Sequence, residues 1–193
     1  MEDSMKYQIL ISGSPDRDGA PEKIYKTAEA TGVALAETGH TLIVDEMHGV
    51  SYRAAVAAHE KTKKSLIIGL SPAANRYEHT SVYQLPTTEF DFLQFTGGEY
   101  VGRTTLAVRS ADAVIIVGGE AGALHQVATA LELGKVCGVV VGSGGVADFV
   151  PRLIESIAPH HRKLLVSDSN PSRIIKKVVE LLDLKYSSAP LKK

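Results

Sequence analysis

The segment Gly118-Gly119-Glu120-Ala121-Gly122-Ala123-Leu124-His125-Gln126 joins an apolar run, Ala113 to Val117, to a stretch in which Leu124, Val127, Ala128 and Leu131 recur at helical spacing until Gly134. Glycines at such a strand-to-helix junction let the backbone approach an anion without a Cβ clash. The helix start that follows offers unbonded N–H groups and the positive end of its dipole. A phosphate cradle on Gly118, Gly119 and Gly122, with Ala123 in the first helical turn, follows from this spacing. A tight turn needing positive φ at Gly118 or Gly119 accounts for the same glycines without a ligand.

Three other junctions carry residues that could serve the same ligand. Ser12-Gly13-Ser14-Pro15 follows the first apolar run, and its hydroxyls suit phosphate or ribose oxygens as well as they suit a helix-capping turn. Thr96-Gly97-Gly98 leads through Glu99 and Tyr100 to Arg103, whose guanidinium can clamp an oxyanion with two parallel hydrogen bonds or remain a solvated charge. Asp45-Glu46 lies after the second apolar run, where dinucleotide-binding sheets often place a ribose-binding carboxylate; a solvated loop is the other reading. The first turn, Gly13-Ser14-Pro15-Asp16-Arg17-Asp18, lacks the G-x-G-x-x-G fingerprint, which argues against a standard NAD site. His79, His125, His160 and His161 form no zinc pattern and no serine-elbow or cysteine–histidine signature occurs, so neither a metal nor a cofactor is expected.

These junctions need a scaffold that brings them together. Short apolar runs at Tyr7 to Ser12, Thr41 to Val44, Ser65 to Leu70, Phe90 to Thr96, Ala113 to Val117, Val136 to Val141 and Lys163 to Val166 alternate with helix-period segments. That alternation predicts an α/β fold of three layers, a mostly parallel sheet of about six or seven strands with helices on both faces. Pro21 opens a helix that Gly39 stops, and Asn170-Pro171 opens the last, with Ile174, Ile175, Val178, Leu181 and Leu182 as its apolar stripe. One domain over residues 1–184 and a frayed tail over 185–193 are expected.

The 193 residues, 44% apolar and 22% charged, suit one globular domain. Twenty-one lysines and arginines against 22 aspartates and glutamates leave no field that favours a nucleic acid polymer or an anionic membrane. One cysteine, Cys137, among apolar neighbours reads as a buried strand residue. With no signal-like or membrane-length apolar run, the expected location is the cytoplasm.

Taken in order, Ser12-Gly13-Ser14, then Gly102-Arg103-Thr104 onward to Ala113, then Gly118 to Gln126 resemble the SLOG superfamily. That superfamily includes the LONELY GUY-type proteins, often labelled lysine decarboxylase-like, and the molybdenum cofactor carrier proteins. Ile68 to Pro72, Glu78-His79 and Gly142 to Asp148 are similar to segments of its members, and the likeness spans about residues 7 to 157. The resemblance implies a Rossmann-like nucleotide-binding sheet, a homodimer or higher homo-oligomer, and a nucleoside monophosphate or related ligand over the glycine loop. In LONELY GUY-type enzymes an arginine and a glutamate hydrolyse the bond between base and ribose 5-monophosphate. Arg103 matches the arginine, whereas the motif's threonine and glutamate fall at Ala123 and Gln126. A neutral amide does not stabilise the positive charge that builds on ribose, so the expected function is binding with little or no catalysis. Two alternatives stay open: a phosphoribohydrolase in which Asp45, Glu46 or Glu120 replaces the missing glutamate, and a structural or assembly protein that keeps the glycine turns only for folding.

Overall fold

The computed structural model describes residues 6–16, 21–45, 47–62 and 64–187. Its strands are β1 (Gln8–Gly13), β2 (Thr41–Val44), β3 (Ile67–Ser71), β4 (Phe92–Phe95), β5 (Ala113–Val117), β6 (Val136–Val140) and β7 (Leu165–Asp168). Between and after them run helices α1 (Glu22–Thr38), α2 (Gly49–Lys61), α3 (Glu99–Ser110), α4 (Ala121–Glu132), α5 (Gly145–Ile157) and α6 (Pro171–Ser187). All pairings are parallel and the order is β4-β3-β2-β1-β5-β6-β7, so the winding reverses between β1 and β5. In open parallel sheets the crevice outside the strand ends at such a reversal is where ligands sit.

Burial on both faces explains the unbroken apolar runs. Every residue of β5 and β6 is buried. Ile9, Ile11, Ile115 and Val117 face a core shared with α1, α2 and α6, while Leu10, Val114, Ile116 and Val139 face one shared with α3, α4 and α5. Cys137 lies wholly inside the second core, where burial pushes its thiol up to about 12 and leaves it unreactive at neutral pH.

Local chemistry shifts several boundaries from their expected places. Residues 159–164 wind into a 3₁₀ turn opened by Pro159, so the last strand begins at Leu165 rather than Lys163. The crossover from β3 to β4 holds a π-helical turn, Glu78–Val82. His79, fully buried, organises it: its Nε2 donates to the Pro86 carbonyl at 2.9 Å and its Nδ1 accepts from the Ser71 hydroxyl at 2.8 Å. Asn170 Oδ1 accepts the Arg173 N–H at 3.0 Å and caps α6. That helix continues to Ser187, three residues into the segment expected to fray. Lys185 Nζ donates to the Gly134 carbonyl and the Tyr186 hydroxyl to Asp112 there. Residues 188–193 lie outside the described residues.

At the amino ends of β1 and β2, away from the crevice, His40 is 8% exposed, and its Nδ1 receives the Tyr7 N–H at 3.4 Å. Burial holds its pKa below the usual histidine range. The unfolded chain therefore binds this proton first. The contribution to stability is complete above about pH 6.5 and is lost as pH falls below it. Urea midpoints should drop between pH 7.5 and pH 5, and His40→Asn should flatten that part of the profile; an identical drop in the variant would exclude His40 as the cause.

Candidate functional site

Gly13 and Val117 are the last partners in the β1–β5 register, and their backbones nearly touch. A Cβ on Gly13 would lie 1.9 Å from the Val117 carbonyl oxygen. Directly after β5 the chain turns through Gly118 and Gly119 with φ of 66° and 99°, the left-handed region that side chains avoid. The Gly118 N–H donates to Ser143 Oγ and the Gly119 N–H to Ser14 Oγ, each at 2.8 Å. On the other side, Ala147 N–H donates to the Gly118 carbonyl at 2.8 Å and Val146 N–H to the Gly119 carbonyl at 2.9 Å. This glycine pair is thus bonded into the protein through all four of its backbone polar groups.

Beyond the pair begins α4, whose first intrahelical bond runs from Leu124 N–H to the Glu120 carbonyl. The N–H groups of Ala121, Gly122 and Ala123 precede it and have no acceptor within the helix. These three residues border a cavity of about 290 Å³. Ser12, Gly13 and Pro15 form one wall; Tyr100, Val101, Arg103 and Thr104 of α3 form another; Glu120 to Ala123, His125 and Gln126 complete it.

At its base lies a buried polar cluster. Asp45, at the end of β2, is 0% exposed, Arg103 5% and Gln126 3%. Gln126 Nε2 donates to Asp45 Oδ2 at 2.7 Å, and the Arg103 guanidinium lies 3.7 Å from the same oxygen. A carboxylate only accepts here, which fixes the amide with its nitrogen toward Asp45 and leaves Gln126 Oε1 to other partners. Arg103 also donates to Thr104 Oγ1 at 3.3 Å and lies under the Tyr100 ring, 5.5 Å from its centroid. Gln126 Oε1 and Arg103 Nε, both buried, have no hydrogen-bond partner among the described residues. Buried polar atoms of folded proteins are nearly always satisfied, so these two, on residues that line the cavity, stand out as unmet bonding capacity beneath it.

Of the residues singled out by sequence, Ser12, Gly13, Arg103, Glu120, Gly122, Ala123 and Gln126 meet in the cavity wall. Ser14, Gly118 and Gly119 stand behind it. Thr96, Gly97 and Gly98 do not reach it: the Thr96 hydroxyl donates to the Ser71 carbonyl, Gly97 N–H to the Ala73 carbonyl and Gly98 N–H to Thr96 Oγ1, fastening the end of β4 to the chain after β3. Asp45 is no solvated loop residue, and Arg103 is no surface charge; each neutralises the other in the interior. Glu46 lies outside the described residues. Tyr100 and Thr104, which sequence reasoning passed over, flank Arg103 within the Thr96 to Thr104 junction and could have been found from one helical turn around it. Among the described residues no three histidine, cysteine, aspartate or glutamate side chains gather as a metal site, and no helix is long and apolar enough to cross a membrane.

A parallel sheet that reverses its winding beside a cavity, with helices on both faces, defines a Rossmann-like α/β domain. The sequence profile of the SLOG cluster4 family matches residues 6–175, and the chain belongs to that family. An uncharacterized protein of Archaeoglobus fulgidus is 30% identical over 128 residues, 66% of this chain and 76% of that protein. Among solved structures, the molybdenum cofactor binding protein of Rippkaea orientalis superposes with a TM-score of 0.73 at 23% identity, covering 93% of this chain and 99% of the other. The molybdenum cofactor carrier protein of Chlamydomonas reinhardtii gives 0.73 at 21%, covering 92% and 99%. DNA processing protein A of Helicobacter pylori, described for its single-stranded DNA binding, gives 0.61 at 19%, covering 90% and 80%. At these identities the structural likenesses speak for the fold.

Proposed function

We propose that the cavity between β1, α3 and α4 binds a small phosphorylated ligand, a nucleoside monophosphate or a related molecule, without hydrolysing it. The observation that carries this reading is the cavity at the reversal of the sheet, lined by Ser12, Arg103 and the first turn of α4. The start of α4, Ala121 to Ala123, lines the same cavity and supplies the anion site through its amides and dipole. The net charge of −1 favours a small ligand over a nucleic acid polymer, and the likeness to cofactor-binding and cofactor-carrying proteins supports the same choice. Hydrolysis is disfavoured because Asp45 is fully buried against Arg103 and Gln126, and Glu120, the one carboxylate of the wall among the described residues, is exposed at the start of α4. Incubation with adenosine, guanosine, cytidine and uridine monophosphates should raise the melting temperature and release no free base. Absence of any shift across the panel sinks the binding reading and favours a purely structural protein.

A second reading rests on one distance. The Asp45 carboxylate lies 2.7 Å from the Gln126 amide, so negative charge stands one hydrogen bond from the motif position that lacks it. Base release that disappears in Asp45→Asn would establish a phosphoribohydrolase.

The protein is also proposed to act as a homodimer in the cytoplasm. Val101, Leu106, Leu124, Leu133, Phe149 and Ile157 are exposed on or beside α3, α4 and α5, whereas on the opposite layer the exposed large apolar side chains are confined to Leu184 and Tyr186 near the end of α6 among the described residues. A monomeric mass in sedimentation equilibrium at micromolar concentration would refute the dimer.

A further inference from the structure

Two sides of the cavity differ in chemistry. Ala121, Gly122 and Ala123 stand on one side at the start of α4, and Tyr100 and Val101 stand on the other in the first turn of α3. A helix start suits an anion, whereas an aromatic ring suits a second planar group. Tyr100 and Val101 are 56% and 71% exposed, so these apolar side chains border the cavity without being packed into the core.

Tyr100 is nonetheless held from two directions. Arg103 Cζ lies 5.5 Å from its ring centroid, and the Tyr83 ring meets it nearly perpendicular, at 84° and 5.6 Å. Both are favourable geometries for an aromatic ring. Tyr83 arrives from the crossover between β3 and β4, where it follows the π-helical turn Glu78–Val82 that buried His79 ties to Ser71 and Pro86. A ring that is already braced, yet more than half exposed, loses little freedom when a planar group covers it.

We infer that Tyr100 is a specificity residue whose ring stacks on a planar heteroaromatic group of the ligand, so that the cavity selects phosphates carrying such a ring over sugar phosphates. This inference rests on the proposed binding function and adds which part of the ligand α3 reads. Every nucleobase offers a π face, so stacking of this kind tolerates a change of base. The four nucleoside monophosphates should therefore differ less from one another than any of them differs from ribose 5-phosphate.

Calorimetry with adenosine monophosphate and ribose 5-phosphate, in native protein and in Tyr100→Leu, isolates the contribution of the base. Native protein should bind the nucleotide about tenfold more tightly, the scale of one base stacked on an aromatic side chain. Tyr100→Leu should lose that factor for the nucleotide and not for the sugar phosphate. Equal loss for both ligands, or loss for neither, overturns the inference, and so does a native protein that binds the two alike. A second variant reads the stacking directly. The chain contains no tryptophan, so Tyr100→Trp places a single indole at this wall, and its fluorescence should be quenched by adenosine monophosphate and not by ribose 5-phosphate. An indole signal that both ligands change alike, or that neither changes while the nucleotide binds, overturns the inference. Native protein that binds neither ligand overturns the proposed function itself.

Discussion

Replacing Arg103 with alanine should lower the melting temperature by about 10 °C and remove measurable binding of mononucleotides. The stability effect follows from burial. Asp45 is 0% exposed and Arg103 is its cationic partner, so truncating the arginine leaves a carboxylate in the interior. Breaking a buried pair from one side costs about 3–5 kcal/mol. In a chain of this size each kcal/mol corresponds to roughly 2–4 °C. Packing adds to the loss, because the guanidinium also supports the Tyr100 ring. The binding effect follows from the loss of a side chain that lines the cavity beside Gln126. Thermal unfolding and calorimetry check both parts. An unchanged melting temperature would mean that Asp45 finds other compensation, and unchanged affinity would place the ligand elsewhere.

A methyl group at Gly13 should be nearly as damaging, by about 3–5 kcal/mol. Its Cβ would lie 1.9 Å from the Val117 carbonyl oxygen and 2.9 Å from Val50 Cγ1, and backbone cannot yield as a flexible side chain can. β1 and β5 would have to part at the one place where the sheet reverses direction, carrying Ser14 away from Gly119. Gly122→Ala is the matched control. Nothing lies within 4 Å of the added Cβ, and alanine favours a helix over glycine by about 1 kcal/mol, so stability should hold or rise. That methyl borders the cavity, so ligand affinity should nonetheless fall. Comparable urea midpoints for the two variants would contradict this reading of the junction.

The scaffold was legible where one physical signal dominated. Thr41–Val44 and Ala113–Val117 are strands at the residues expected, because a strand covered on both faces is apolar throughout and cannot be mistaken for an amphipathic helix. β7 was placed two residues early, since Pro159 starts a 3₁₀ turn whose charged residues carry no periodicity to read. The last helix was ended too soon because Lys185 and Tyr186 are held by contacts with Gly134 and Asp112, distant in sequence, and not by an apolar stripe. At the site, the order of motifs led to Arg103 and Gln126 together. Their partnership with Asp45 could not be read, since Asp45 is 81 positions from Gln126 and 58 from Arg103 and the contact depends on which face of β2's end turns inward. For the same reason Ser143 was visible only as part of a glycine-rich stretch, although its hydroxyl receives the Gly118 N–H.

The corner between β5 and α4 has a further consequence for the thermodynamics of association. Ser14, Ser143, Val146 and Ala147 hold the Gly118–Gly119 pair from both sides, so the backbone that aims the α4 amides is already immobile before any ligand arrives. Its conformational entropy is lost when the chain folds and not again when an anion docks. On the proposed function, recognition at this corner is therefore rigid, with the heat of binding reporting the contacts made and not the ordering of a loop.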